Sequence, residues 1–199
     1  MKYEKFKGKR YLAGLLVCSL LFFVSFYQVI CHYAEAKQAE EEFSLLAESV
    51  VQAEEEEPEQ KKEGNGEESI SPLQKYEELF QKNNDMAGWI RIEDTPINYP
   101  VMYTPDNPDY YLKHSFSKEY SAYGVPYIAE HCNPSEPSDN VIIYGHHMNN
   151  GSMFTGLLKY ADKSFYQQHK IIRFDTLIET GEYEVLAVFK TTVHDDTGF

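Results

Sequence analysis

The residues best suited to chemistry lie together in the stretch DNVIIYGHHMNNGSMFTGLLK, residues 139–159. The apolar and aromatic run VIIY, 141–144, predicts a buried strand. Gly145 ends that strand just before His146 and His147. Imidazole changes charge near neutral pH, so a histidine freed by a glycine at the mouth of a strand is placed to take and give protons. His146 is therefore the candidate acid–base group. Side chains alternate along a strand, which sends His147 to the opposite side as a packing or solvent-facing residue. A His-His metal site lacks a third ligand at a recognisable spacing, and no cofactor is implied. Of the three cysteines, Cys18 falls inside an apolar segment, Cys31 at its edge, and Cys132 in the polar phrase EHCNP. Neither a disulfide framework nor a zinc pair can be built from that set. Cys132 is expected to be a non-catalytic loop thiol, and His131 and His114 are expected at the surface.

The elements that must position these groups are mostly short strands. They are predicted at 89–92, 97–103, 125–129, 141–146, 171–176 and 183–192, separated by turn phrases such as DTP, PDNP and TGE. Helical patches interrupt at 154–160 and 163–169. Before the first strand, Ser71 is a good N-cap, Pro72 suits the first helical position and Gln74 completes a capping box. Leu73, Tyr76, Leu79 and Phe80 then form one apolar face, and the helix should end near Asn83 and Asn84. The expected fold is mainly β with N-terminal helices, a barrel or sandwich.

The charge of −14 is unevenly spread. Residues 1–30 carry a local +4 and residues 40–68, with twelve Glu, a local −10. A nucleic-acid partner is excluded because phosphate binding needs a basic face. Residues 11–30, YLAGLLVCSLLFFVSFYQVI, are uncharged and long enough to span a hydrocarbon core of about 30 Å. The basic flank puts residues 1–10 in the cytoplasm and the rest outside. A cleaved signal peptide with an Ala34-Glu35-Ala36 site is the rival, although the apolar run is longer than such a segment needs. The organisation expected is a cytoplasmic tail at 1–10, a transmembrane anchor at 11–30, an acidic extracellular stalk at 31–70 and a folded domain from 71 to 199. Within the stalk, Phe43, Leu46 and Val50 have helical spacing, so a short amphipathic helix is expected at 38–53. The Glu-rich part that follows has too few apolar residues to build a core.

From Ser71 onward the chain resembles the class B sortases. The phrases that carry the resemblance are MAGWIRIEDTPINYPVM, NPDYYLKHSF, Tyr123-Gly124 before VPYIA, and NVIIYGHHMNNGSMF. The resemblance implies a membrane-anchored cysteine transpeptidase on the outer face of a Gram-positive cell, with a sortase-like β-barrel. Such enzymes cut a C-terminal sorting signal of the NP-x-T type after threonine. They hold the acyl fragment as a thioester and pass it to an amine of a peptidoglycan precursor or a pilin. His146 matches the family's catalytic histidine, and Leu112 falls where the family builds part of its sorting-signal groove. The family's nucleophile sits in a Thr-x-x-Thr-Cys phrase with its arginine on the next strand. After His146 the sequence holds no cysteine, and Arg173 is its sole arginine, too early to match.

Three readings remain: a class B sortase cut short, a degenerate copy that cannot catalyse, and a membrane-tethered binding module that keeps the barrel alone. The first two are favoured by an ending at 190–199 that looks like a strand's tail and loop. By the first two the barrel's C-terminal part is expected to be missing, and by any of the three these 199 residues are expected to be inactive by themselves.

Overall fold

A computed structural model describes residues 2–55, 72–134 and 140–191, with the side chains of residues 2–10, 72 and 73 outside that description. The chain divides into two units, Met1–Glu40 and Glu41–Phe199. The first helix, α1 (Lys2–Glu55), runs through both. In the first unit its apolar side chains from Tyr11 to Ile30 are exposed, Leu15 and Phe22 among them. By length and composition this is a helix able to cross a membrane.

In the second unit the end of α1 has a different face. Phe43, Leu46 and Val50 are buried, and the Phe43 ring meets Tyr99 edge-on at 4.8 Å. The helical spacing expected at 38–53 is therefore present, inside a longer helix. The expected N-cap Ser71 and the Glu-rich segment 56–70 lie outside the described residues.

Helix α2 (Pro72–Lys82) begins on the expected proline and buries Tyr76 and Leu79. Asn83 closes it, its N–H donating to the Leu79 carbonyl at 2.9 Å. Six strands follow: β1 (Met86–Arg91), β2 (Asn98–Met102), β3 (Tyr127–Ile128), β4 (Ile143–Tyr144), β5 (Ile171–Thr176) and β6 (Glu182–Glu184). They form one sheet in the order β4-β3-β2-β1-β5-β6. β2 and β3 run parallel and every other neighbouring pair is antiparallel. The turn between β1 and β2 is held by the Thr95 hydroxyl, which donates to the Ile92 carbonyl at 2.8 Å and accepts from the Ile97 N–H at 3.1 Å. Two 3-10 segments, Tyr110–Leu112 and Phe154–Ala161, and helix α3 (Lys163–Gln168) complete the unit. Asp162 caps α3 by accepting from the N–H groups of Ser164 and Phe165.

Strand bounds differ most from expectation in β3, β4 and β6, and β3 covers Tyr127–Ile128 rather than 125–129. β4 is two residues long rather than 141–146, and it is not buried: Ile143 is half-buried and Tyr144 is 43% exposed. β6 covers Glu182–Glu184 rather than 183–192, and beyond it Leu186 and Phe189 stand in solvent. β4 and β6 are the outer strands of the sheet, each pairs on one side only, and the sheet does not close into a barrel among the described residues.

Candidate functional site

β4 carries the site. Ile143 and Tyr144 pair with Ile128 and Tyr127 of β3, and Ala129 donates its N–H to the Ile142 carbonyl at 3.0 Å. At Gly145 the backbone passes the Phe154 ring so closely that a Cβ there would come within 2.5 Å of it. The absent side chain lets the ring pack on the chain one residue before His146. The chain then loops and returns. Phe154 donates its N–H to the His146 carbonyl at 2.9 Å, and His147 bridges Met153. The Thr155 hydroxyl both accepts from the Met148 N–H and donates to the Met148 carbonyl, at 2.8 Å each. Met153 is buried, and its N–H is held at 3.1 Å by the Tyr99 hydroxyl from β2. The loop carrying both histidines is thus tied to the sheet from two directions.

His146 is half-buried. Its Nε2 lies 2.7 Å from the Leu112 carbonyl oxygen. His147 is exposed. The two histidines therefore occupy different surroundings although they are adjacent in sequence.

Leu112 enters the site through its backbone. Its side chain is half-buried, and it ends the Tyr110–Leu112 turn. That turn is pinned below by Tyr111, which is fully buried and donates its hydroxyl to Asp85 at 2.8 Å while accepting from Asn83 at 2.7 Å. Burial pushes the Tyr111 phenol well above its ordinary pKa. The Tyr111 carbonyl is taken by the Val125 N–H at 2.9 Å, and Gly124 packs against the carbonyls of both Tyr111 and Leu112. Sequence reasoning singled out Leu112 as a side chain. It missed the carbonyl, and it missed Tyr99 and Thr155 as supports of the histidine loop. No residue-type signal marks a backbone acceptor, and a tyrosine in a strand reads simply as core.

The remaining candidates are dispersed. Cys132 lies in a loop and is buried there, with its sulfur 3.4 Å from the Ile142 N–H. The turn that begins at Ala129, whose carbonyl accepts the Cys132 N–H at 3.0 Å, turns the thiol inward while Glu130, His131 and Asn133 stay exposed. His131 is exposed as expected. His114 is half-buried, with its ring stacked at 3.9 Å on Tyr110. Arg173 lies in β5, at the other side of the sheet order from β4, and is ion-paired to Glu93 at 2.8 Å and Glu182 at 3.1 Å. It lines a cavity of about 300 Å³ together with Glu54, Lys75, Tyr76, Trp89 and Asp175. There Lys75 bridges Glu54 and Asp175 at 2.9 and 3.0 Å. Among the described residues no cluster of His, Cys, Asp and Glu could hold a metal ion.

No family model matches the chain. Two curated relatives do. Sortase B of Staphylococcus aureus is 30% identical over 189 residues, 94% of this chain and 72% of that protein. Sortase B of Listeria monocytogenes is 41% identical over 116 residues, 58% of this chain and 46% of that protein. The match thus spans less than half of the Listeria relative. Among solved structures, the S. aureus sortase B–substrate complex superposes with a TM-score of 0.70 at 29% identity, over 82% of this chain and 70% of that one. Sortase B from Bacillus anthracis in complex with AAEK1 gives 0.63 at 32% identity, over 80% and 72%.

Proposed function

This chain belongs to the class B sortase family, and from that premise we propose that it supplies the acid–base half of a cysteine transpeptidase site. His146 is the proton donor and acceptor. The protein as a whole cleaves a C-terminal sorting signal of the NP-x-T type after threonine, holds the acyl fragment as a thioester and delivers it to an amine. A relative from S. aureus is a substrate complex and another sortase B is complexed with triglycine, which supports a peptide donor and an amino acceptor of the peptidoglycan or pilin kind. The groove for the donor runs past Leu112. Residues 11–30 anchor the protein with residues 1–10 in the cytoplasm and the domain outside, as the local +4 flank favours.

The observation that carries this reading is the half-buried His146, held at the end of β4 by the Leu112 carbonyl. A thiol attacks only as thiolate, and the histidine's task is to take the thiol proton and return it to the leaving amine. None of the three cysteines fits the nucleophile's place: Cys18 and Cys31 lie in α1 and Cys132 is buried. We infer that the nucleophile and the arginine come from outside these 199 residues, which by themselves turn nothing over. Cleavage of a quenched NP-x-T peptide is the test. No turnover above background is expected from these residues alone, and turnover abolished by Cys132→Ala would overturn this. In a longer form carrying the family's Thr-x-x-Thr-Cys phrase and arginine, His146→Ala should cost roughly 10²–10⁴-fold in rate. His147→Ala should cost far less. The reverse order would show that the wrong histidine has been chosen.

A further inference from the structure

We propose that the Leu112 carbonyl locks His146 as its Nε2–H tautomer, so that Nδ1 is the nitrogen that exchanges protons with the reacting groups. This inference rests on the acid–base reading of His146 and adds to it the atom that does the work.

A backbone carbonyl only accepts hydrogen bonds, so an imidazole nitrogen 2.7 Å from it carries a proton. Neutral imidazole has one N–H; if Nε2 holds it, Nδ1 is the lone-pair nitrogen. In the imidazolium both nitrogens are protonated and the bond to Leu112 is kept. Nε2 is therefore protonated in both charge states, and Nδ1 alone gains and loses the proton. Among the described residues Nδ1 has no hydrogen-bond partner, which leaves it open to a reactant.

The acceptor is itself fixed. Its neighbour, the Tyr111 carbonyl, is already engaged by the Val125 N–H. Gly124, in the left-handed region at φ 58°, backs against the Leu112 carbonyl so closely that a Cβ would come within 2.7 Å of its oxygen. The carbonyl thus does for this ring what a second carboxylate or carbonyl does for a metal- or serine-linked histidine: it sets tautomer and orientation. In the reaction, Nδ1 takes the proton of the attacking thiol, leaving thiolate and imidazolium. As the thioester forms and the scissile C–N bond breaks, Nδ1–H gives that proton to the leaving amine nitrogen. Leu112 is a positioning residue through its backbone, and His146 is the catalytic one.

The test uses the full chain in detergent micelles with ¹⁵N-labelled histidine. There are seven histidines, and the His146 signals are assigned by their loss in His146→Gln. Across a pH titration Nε2 should stay of the protonated, pyrrole type throughout, while Nδ1 moves from the pyridine type to the protonated type as pH falls. A scalar coupling across the hydrogen bond, from His146 Nε2 to a ¹³C-labelled leucine carbonyl, should be present. A neutral state with the proton on Nδ1, or Nε2 as the nitrogen that titrates, overturns the proposal without any mutant. The longer, cysteine-bearing form supplies the second arm. The His146→Gln amide places an N–H where Nε2 was and no base at Nδ1. It should leave the melting temperature near that of the parent and lower peptide cleavage by roughly 10²–10⁴-fold. Full activity in His146→Gln, with Nε2 protonated as expected, would defeat the acid–base reading and with it the role given to Nδ1, while leaving the tautomer standing.

Discussion

Replacing Gly124 by alanine should damage the site from beneath, and the size of the effect can be worked out. Gly124 sits at φ 58°, and its Cβ would lie 2.4 Å from the Tyr111 carbonyl oxygen and 2.7 Å from that of Leu112. An L side chain in the left-handed region costs about 1–2 kcal/mol. Forcing a methyl against backbone adds an overpacking cost of about 1–3 kcal/mol, because neither carbonyl can yield freely. Tyr111 is fully buried and its carbonyl holds the Val125 N–H; the Leu112 carbonyl holds His146. Loss of chain entropy in the unfolded alanine variant returns about 0.4–1 kcal/mol. The net loss is about 2–4 kcal/mol, or roughly 4–16 °C in melting temperature for a domain of this size. The long α1 dominates far-ultraviolet dichroism, so the melt is better followed by fluorescence of Trp89, which is buried and the sole tryptophan. Gly151→Ala is the control. Gly151 also has a positive φ, 88°, but a Cβ there meets nothing within 4 Å, so it carries the conformational cost without the collision. Equal destabilisation by the two substitutions would refute the claim that the carbonyls of Tyr111 and Leu112 are pressed against Gly124.

Asn83→Ala removes a buried amide that donates to the Tyr111 hydroxyl and the Phe116 carbonyl at 2.7 Å each and accepts the Asp85 N–H. It should cost about 1–3 kcal/mol by chemical denaturation, and a change of a few tenths would mean that the network does not tie α2 to the Leu112 turn. In alkali, Tyr76, Tyr111 and Tyr127 are all held above the ordinary phenol value, chiefly by burial, with Asp175, Asp85 and Asp109 adding to it. Unfolded tyrosines ionise near pH 10 while these stay neutral, so their stabilisation is complete below about pH 10 and is lost as pH rises through the folded values. Urea midpoints should fall from about pH 10 upward, and Tyr76→Phe should make that fall shallower; an unchanged slope would count against it. For topology, external protease on intact protoplasts should remove the domain and spare residues 1–10, and a protected domain would reverse the proposed orientation.

How far the sequence disclosed this arrangement varied with the kind of information involved. Local signals were plain. Pro72 opened α2, the Asp94-Thr95-Pro96 phrase made the β1–β2 turn, and the spacing of Phe43, Leu46 and Val50 marked the face of α1 that is buried. Pairing partners were not. The run 141–144 is as apolar as a central strand, but its position in the sheet follows from which strands flank it, and that is a non-local fact. The polar phrase around Cys132 read as a loop, which it is, but it gave no sign of the thiol's burial. A tight turn on Ala129 buries the thiol, and nothing in residue type announces it.

The histidine illustrates the division most clearly. Its identity and its place at the end of a strand are written in five consecutive residues. Its chemical state depends on a carbonyl 34 residues earlier in the chain. That carbonyl is held in turn by Gly124, whose value lies in what it lacks. A substitution at Leu112 that preserves the backbone, such as Leu112→Met, leaves the acceptor in place, so the proposed groove and the proposed tautomer separate experimentally. Peptide affinity should respond to the side chain and the ¹⁵N signature of His146 should not. A change at Gly124 reverses the pattern, acting on the ring through the carbonyl while leaving the leucine side chain intact. Sequence comparison weighs side chains, and so it registers the first kind of change more readily than the second; for this site the second reaches the proton.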